Sequence, residues 1–453
     1  MGAEIVPKGR GFNLIYQGHR LKKNRDINGT RHWRCTESGC RGKVKTRIGE
    51  GNFPEVISST EHNHPADDEL VFTTRIKADL CHLATEDLLK PLQKIYRDYK
   101  ATLPMTDMLV PDYSSCHTIM WRARRKHFPP PPSSRDGVTF EGEWGQTHRG
   151  EEFIINHAED QFTCGTDDNL CQLAQCKKIL MDGTFKSAPK HYDQLYSIHG
   201  LSDEGHLHGL VYSCLADRTT EAYCDMFAAI KRRMATLGLE WNPETIVVDF
   251  EPAMLNALRV HFPNSNVQGC YFHHTQAIWR HVQQLGLTTV YRDVPAVKKH
   301  VRKLMALAFL PVVAVRPAFY QLKDDPIVEE HGLEELFAYF ERTWLGTFKP
   351  ILWNVHDKSL RTNNRLEGWH HRFNRYLGKH HPGVFEFILA LKAEQSIVEQ
   401  EIQQMRLGAR PKPRRRKYRL LDDRLDRLTD SFKSGNVTVN EFLNAVRHIV
   451  HHY

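Results

Sequence analysis

No apolar stretch in this chain is long enough to cross a membrane as a helix. The longest, LMALAFLPVVAV, has twelve residues, contains Pro311 and lies between Lys303 and Arg316, whereas a spanning helix needs roughly twenty. The opening MGAEIVPKGRGF has no apolar core of the kind a secretory signal carries. Its Met-Gly start is followed by Val6 where myristoylation favours Ser or Thr. Export is therefore not expected, and the ten cysteines are expected as metal ligands or buried thiols rather than as disulfides. Internal repeats are absent. Charge of one sign is not in large excess either: a net +8 over 453 residues permits nucleic-acid binding without demanding it.

What is present points to a globular chain of two or three domains, with 40% hydrophobic residues. The positive charge is clustered in RARRKH (122–127) and PKPRRRKYR (411–419). Such runs serve as solvated linkers, phosphate contacts or nuclear-import signals. Lys412, Arg414, Arg415, Arg416 and Lys417 make the best import candidate, so a nuclear location is expected.

Residues 11–64 alternate short β-type runs with Asn-Gly and Gly-rich turns. A helix is predicted over 74–100 and another over 114–127, before the stiff run PPPPSS at 129–134. From about 150 to 290 the texture is α/β. Strands are predicted at 176–185, 194–202, 208–217, 244–251 and 266–272, and an amphipathic helix at 220–238. Residues 290–360 read as mainly helical, and helices are predicted at 363–378 and 384–405.

The β-rich start is too small to hold itself by its core alone. Cys35 and Cys40, then His62 and His64, supply two thiolates and two imidazoles, the usual tetrahedral structural zinc set. The alternative is two buried cysteines and two surface histidines. Phe12, Leu14, Tyr16, Trp33, Cys35 and the HNHP ending resemble the FLYWCH-type zinc finger. The resemblance implies DNA or protein binding, with Lys22, Lys23, Arg25, Arg31 and Arg34 as phosphate-contact candidates or, alternatively, a solvated face.

Asp182 follows the apolar run ILM and Asp249 follows IVV, so each carboxylate leaves the end of a strand. Each alone could cap a turn. Two converging would raise each other's pKa, and hard divalent cations suit such oxygen ligands. The segments DGTF (182–185), VVDFEPAMLNAL (247–258), GCYFHHTQA (269–277), YFERTWLG and TNNRLEGWH resemble the Mutator-like element (MULE) transposases. That resemblance implies an RNase H-like catalytic domain with an α-helical insertion, carrying an Asp-Asp-Glu triad: Asp182, Asp249 and Glu367. It implies two catalytic Mg2+ or Mn2+ ions beside the structural Zn2+, and double-stranded DNA as partner, with room for a homo-oligomer on it. Glu367 has a second reading: with Asn364 as N-cap it would sit at N3 of a capping box.

Cys270 and His273 are half of a zinc site with no visible second half. They could shape the wall of the active site, meet flanking DNA, or be a buried thiol and a satisfied imidazole. A zinc set of Cys164, Cys171, Cys176 and His157 is not favoured, because NLCQLAQC reads as a packed helix. Most of the four His-His pairs are expected at the surface.

The expected organisation is α/β: a finger at 1–67, a helical region at 68–133, the RNase H-like domain at 134–405 with its insertion at about 290–360, and a basic linker with a helical tail at 406–453. The function implied is a DNA transposase. The alternative is a domesticated, catalytically silent copy that binds DNA and regulates transcription.

Overall fold

The structure, a computed structural model, describes residues 2–8, 11–49, 51–358, 360–361, 364–410 and 416–449. The chain divides into two compact units, Met1–Pro131 and Pro132–Tyr453.

The first unit begins with six strands paired in chain order: β1 (Glu4–Lys8), β2 (Gly11–Tyr16), β3 (His19–Ile27), β4 (Thr30–Cys35), β5 (Lys43–Arg47) and β6 (Val56–Ser59). Two hairpins turn on Gln17-Gly18 and Asn28-Gly29, all four residues at positive φ, the turn whose twist matches the strands. Leu14, Leu21, Trp33 and Val44 form a small core, and Trp33 Nε1 donates to Thr46 Oγ1 at 2.9 Å.

Helices Asp68–Glu86, Leu92–Thr102 and Tyr113–Arg125 follow and pack around Ile76, Leu80, Ala84, Ile95, Cys116 and Met120. The single helix expected over 74–100 is thus two. Asp87 Oδ1 accepts from the Leu89 and Lys90 amides, and Pro91 disfavours helical backbone at the residue before it. Arg124 donates to the carbonyls of Ala84, Asp87 and Lys90 across the break.

The second unit is built on a seven-stranded sheet in the order β13-β12-β9-β10-β11-β8-β7. Its strands are β7 (Ile154–Ala158), β8 (Gln161–Cys164), β9 (Lys178–Thr184), β10 (Gln194–Leu201), β11 (Leu207–Leu215), β12 (Thr245–Val248) and β13 (Asn266–Gly269). β9, β10 and β11 are antiparallel neighbours, while β12 runs parallel to β9 and β13 parallel to β12. The sequence reading placed no strand at β7 or β8.

Side chains alternate along a strand, and this fixes what the site faces. Ile179, Met181, Ile246 and Val248 pack with the helices Thr220–Thr236 and Pro252–His261. Leu180 and Val247 pack on the opposite face with Cys270 and Leu366. A series of short helices spans Thr288–Trp353, with a π-helical turn at Glu341–Thr347. Their core holds Phe309, Phe319, Phe337, Phe340, Trp344 and Trp353, and the last two helices, Arg416–Lys433 and Val439–Val446, join it through Leu425, Phe442, Leu443 and Val446. Among the described residues no helix is long and apolar enough to cross a membrane.

Candidate functional site

In the first unit, β4 ends on Cys35, Cys40 lies in the loop after it, and His62 and His64 return after β6. The four ligand atoms lie within 4.8 Å of one another. Cys35 Sγ is 3.3 Å from His64 Nε2, and Cys40 Sγ is 3.5 Å from His62 Nδ1. The Glu37 amide donates to Cys35 Sγ and the Gly42 amide to Cys40 Sγ, which stabilises thiolate. Gly42 is required by packing: a Cβ there would come within 2.6 Å of the His62 ring. The residues fit a structural zinc ion.

The five basic candidates lie on β3 and β4. Asp26 pairs with Lys23 at 2.8 Å and with Arg31 at 3.0 Å. Lys22, Arg25 and Arg34 are exposed. Strand register adds two residues that the sequence reading missed, Lys43 and Lys45. Lys22, Arg34 and Lys43 stand in one cross-strand row, and Arg25, His32 and Lys45 in the next. Like charges side by side destabilise a sheet, so these rows leave positive charge on this face without an anionic neighbour in the same row.

In the second unit, Asp182 lies near the end of β9 and is buried. By alternation it shares the face of Leu180, under the helix Asn364–Leu377. Asp249 follows β12 directly, and continuing the parallel register of β9 and β12 sets it beside Asp182. The Gly183 amide donates to Asp182 Oδ1 at 3.0 Å, and the Glu251 amide to Asp249 Oδ1 at 3.2 Å. A Cβ on Gly183 would collide with the Gln194 amide. Tyr223 Oη lies 2.9 Å from both Gln194 Oε1 and Glu251 Oε2, with one proton to donate between the two acceptors.

Glu367 is presented by a helix whose stripe Leu366, Trp369, Phe373 and Leu377 is buried. Trp369 Nε1 and Arg372 both donate to Glu394 on the helix Val384–Arg406, at 2.9 and 2.7 Å. Before this helix, the Arg361 carbonyl accepts from the Tyr271 amide at 3.0 Å, and its guanidinium pairs with Asp422 and Asp426 of the helix Arg416–Lys433. The helix is described from Asn364, which makes Glu367 its fourth residue; the cap contacts that the capping-box reading concerns, with Asn363 and the Asn364 side chain, lie outside the described residues.

Burial, and then the charge of Asp182, push both Asp249 and Glu367 up to about 7. Glu367 Oε1 is buried without a hydrogen-bond partner. A raised acid holds protons in the folded state that the unfolded chain has released, so stability falls as pH rises through the interval between ordinary carboxylate values and about 7. A divalent cation would replace those protons. In magnesium-free buffer with the finger's zinc retained, the melting temperature of the second unit should fall by a few degrees between about pH 5.5 and pH 8. Millimolar Mg2+ or Mn2+ should restore it at pH 8 and do little at pH 5.5; equal stabilisation at both, or none, contradicts the cation reading.

Histidines complete the site. His370 Nδ1 lies 3.4 Å from Asp182 Oδ2, and its Nε2 lies 3.0 Å from Ser197 Oγ. His273 Nε2 lies 4.0 Å from Asp182 Oδ1. His274 is fully buried between Trp344 and Trp353, stacked on the latter at 4.8 Å, and burial pushes its pKa down to about 3. The expectation that His-His pairs lie mostly at the surface therefore fails for the 273–274 pair and for His370, whose neighbour His371 is exposed. The available signal was spacing: His370 follows Glu367 by three residues, one face of a helix. Cys164, Cys171, Cys176 and His157 form no metal-binding group among the described residues.

A family model of the FLYWCH zinc finger domain matches residues 6–64, and one of the MULE transposase domain matches residues 178–277. The second match contains Asp182, Asp249, Cys270 and His273 and ends before Glu367. No curated protein matches the chain. The chain thus carries a FLYWCH zinc finger domain over residues 6–64 and a MULE transposase domain over residues 178–277, and the second supports a transposase-family function.

Proposed function

We propose that the chain cuts and joins DNA strands at the ends of a mobile element, using Asp182, Asp249 and Glu367 in an RNase H-like domain to hold two Mg2+ or Mn2+ ions. The observation that supports this most is the pair of aspartates at adjacent ends of the parallel strands β9 and β12, with Glu367 close enough to feel the charge of Asp182. The donor set fits hard cations: Asp182 is buried, Asp249 and Glu367 are half-buried, and one Glu367 oxygen has no protein donor. Bound there, two such ions stabilise the attacking and leaving oxygens of an in-line displacement at phosphorus. The protein's part is positioning. His370, braced by Ser197, fixes Asp182, and the Trp369–Glu394 bond fixes the helix that carries Glu367.

The proposed partner is double-stranded DNA, approached by the finger through the rows Lys22, Arg34, Lys43 and Arg25, His32, Lys45. Replacing Lys43 and Lys45 together by Ala should weaken DNA binding about equally for all sequences and reduce the slope of log affinity against log salt by about two. An unchanged slope removes this face as a phosphate contact. Nuclear location is proposed with DNA as substrate. Of the import candidates, Lys412, Arg414 and Arg415 lie outside the described residues; Arg416 is exposed at the start of its helix, and the Lys417 side chain is not described.

The test is a strand-cleavage assay of the full chain on duplex DNA carrying the element's ends, with Mg2+ or Mn2+. Cleavage that requires the metal supports the proposal. Binding without cleavage under either metal supports the domesticated alternative.

A further inference from the structure

Among the described residues, one group besides the finger brings three metal-binding side chains together: Cys270, His273 and Glu367, whose ligand atoms lie within 4.8 Å of one another. The three acids of the proposed catalytic set do not form such a group by themselves. Cys270 follows β13 directly, its amide donates to the Val248 carbonyl at 2.7 Å, and it is the N-cap residue of the helix Tyr271–Gln284. His273 is in the first turn of that helix, held from behind by His274 in its tryptophan cage. Glu367 comes from the other helix.

Two polar atoms within this group are buried without partners, Glu367 Oε1 and His273 Nδ1, an arrangement that costs free energy unless a ligand supplies the missing interaction. The chemistry of the set is selective. Thiolate and imidazole suit zinc and its relatives, and thiolate is a poor ligand for magnesium. Three protein ligands with one open position is a common zinc arrangement.

We propose that Cys270, His273 and Glu367 bind one zinc ion, separate from the finger's, with the fourth position left to water. Its consequence rests on the nuclease reading: Glu367 engaged with zinc is withheld from the aspartates, so zinc inhibits magnesium-dependent cleavage.

Titration of the full chain with zinc against a chromophoric chelator should show two equivalents per chain. Cys270→Ser and His273→Gln should each show one, with the near-UV circular dichroism of the folded protein retained. One equivalent in the wild type, or two in either variant, overturns the proposal. Cys270 is fully buried; if its substitution unfolds the chain, the partly exposed His273 carries the same test alone. In the cleavage assay, zinc added to magnesium should slow the wild type at least about tenfold and the His273→Gln protein by less than twofold, each against its own magnesium-only rate. A chain that binds two zinc ions but cleaves nothing retains this site and loses the nuclease reading.

Discussion

Asp182→Asn and Asp249→Asn should each cut metal-dependent strand cleavage by at least about a thousandfold and leave DNA affinity within about twofold. The reason is a division of labour. Carboxylates at the reacting phosphate stabilise the transition state through the cations they hold, an effect worth several kcal/mol, and each 1.36 kcal/mol is tenfold in rate. Affinity for DNA comes from lysine and arginine, and removing a carboxylate lessens repulsion of the phosphates. Asn keeps the size of Asp, so the acceptors for the Gly183 and Glu251 amides survive in part. For Asp249, losing a buried charge raised by burial and by Asp182 should also increase the metal-free melting temperature near pH 8. Equal loss of binding and cleavage in a folded variant would contradict the separation.

Cys35→Ser should unfold residues 11–64 and leave the second unit folded. The finger's core is only a handful of side chains around Trp33, and a unit of that size gains its folding free energy largely from the metal. The variant removes one of four ligands and leaves three groups that had been arranged for an absent charge. The second unit has its own sheet and two larger clusters, with no residue of the finger among them. Limited proteolysis should therefore degrade the N-terminal region rapidly and spare a fragment beginning near the proline run. Loss of both regions at the same protease concentration would show that the units do not fold separately.

The two aspartates were legible because each follows an apolar run that reads as a strand on its own, and parallel pairing then puts strand ends together. Glu367 was not legible from local pattern. It sits on an amphipathic helix like any other surface acid, and the family resemblance alone nominated it. Ser197 is the cross-strand partner of Asp182 in the β9–β10 pair, whereas His370 meets Ser197 across 173 residues of sequence, which no local signal reports. The cation rows on the finger were half legible for a different reason. The register shift between Lys23 and Arg25 changes the parity of β3, as bulges do, and brings Lys22 and Arg25 to the face of Arg34 and His32. Simple alternation separates them. Pro91 marks the break in the sequence, but the apolar spacing runs on across it and by itself reads as one helix.

The central claim, that Glu367 completes a cation site with Asp182 and Asp249, is tested most directly by Glu367→Gln. The substitution keeps the side chain's length and leaves the stripe Leu366, Trp369, Phe373 and Leu377 untouched, but removes the anionic ligand. Cleavage of element-end DNA with Mn2+ should fall at least about a hundredfold, with the melting temperature not lowered and DNA affinity within about twofold of wild type. Wild-type cleavage by a folded Glu367→Gln protein would contradict it.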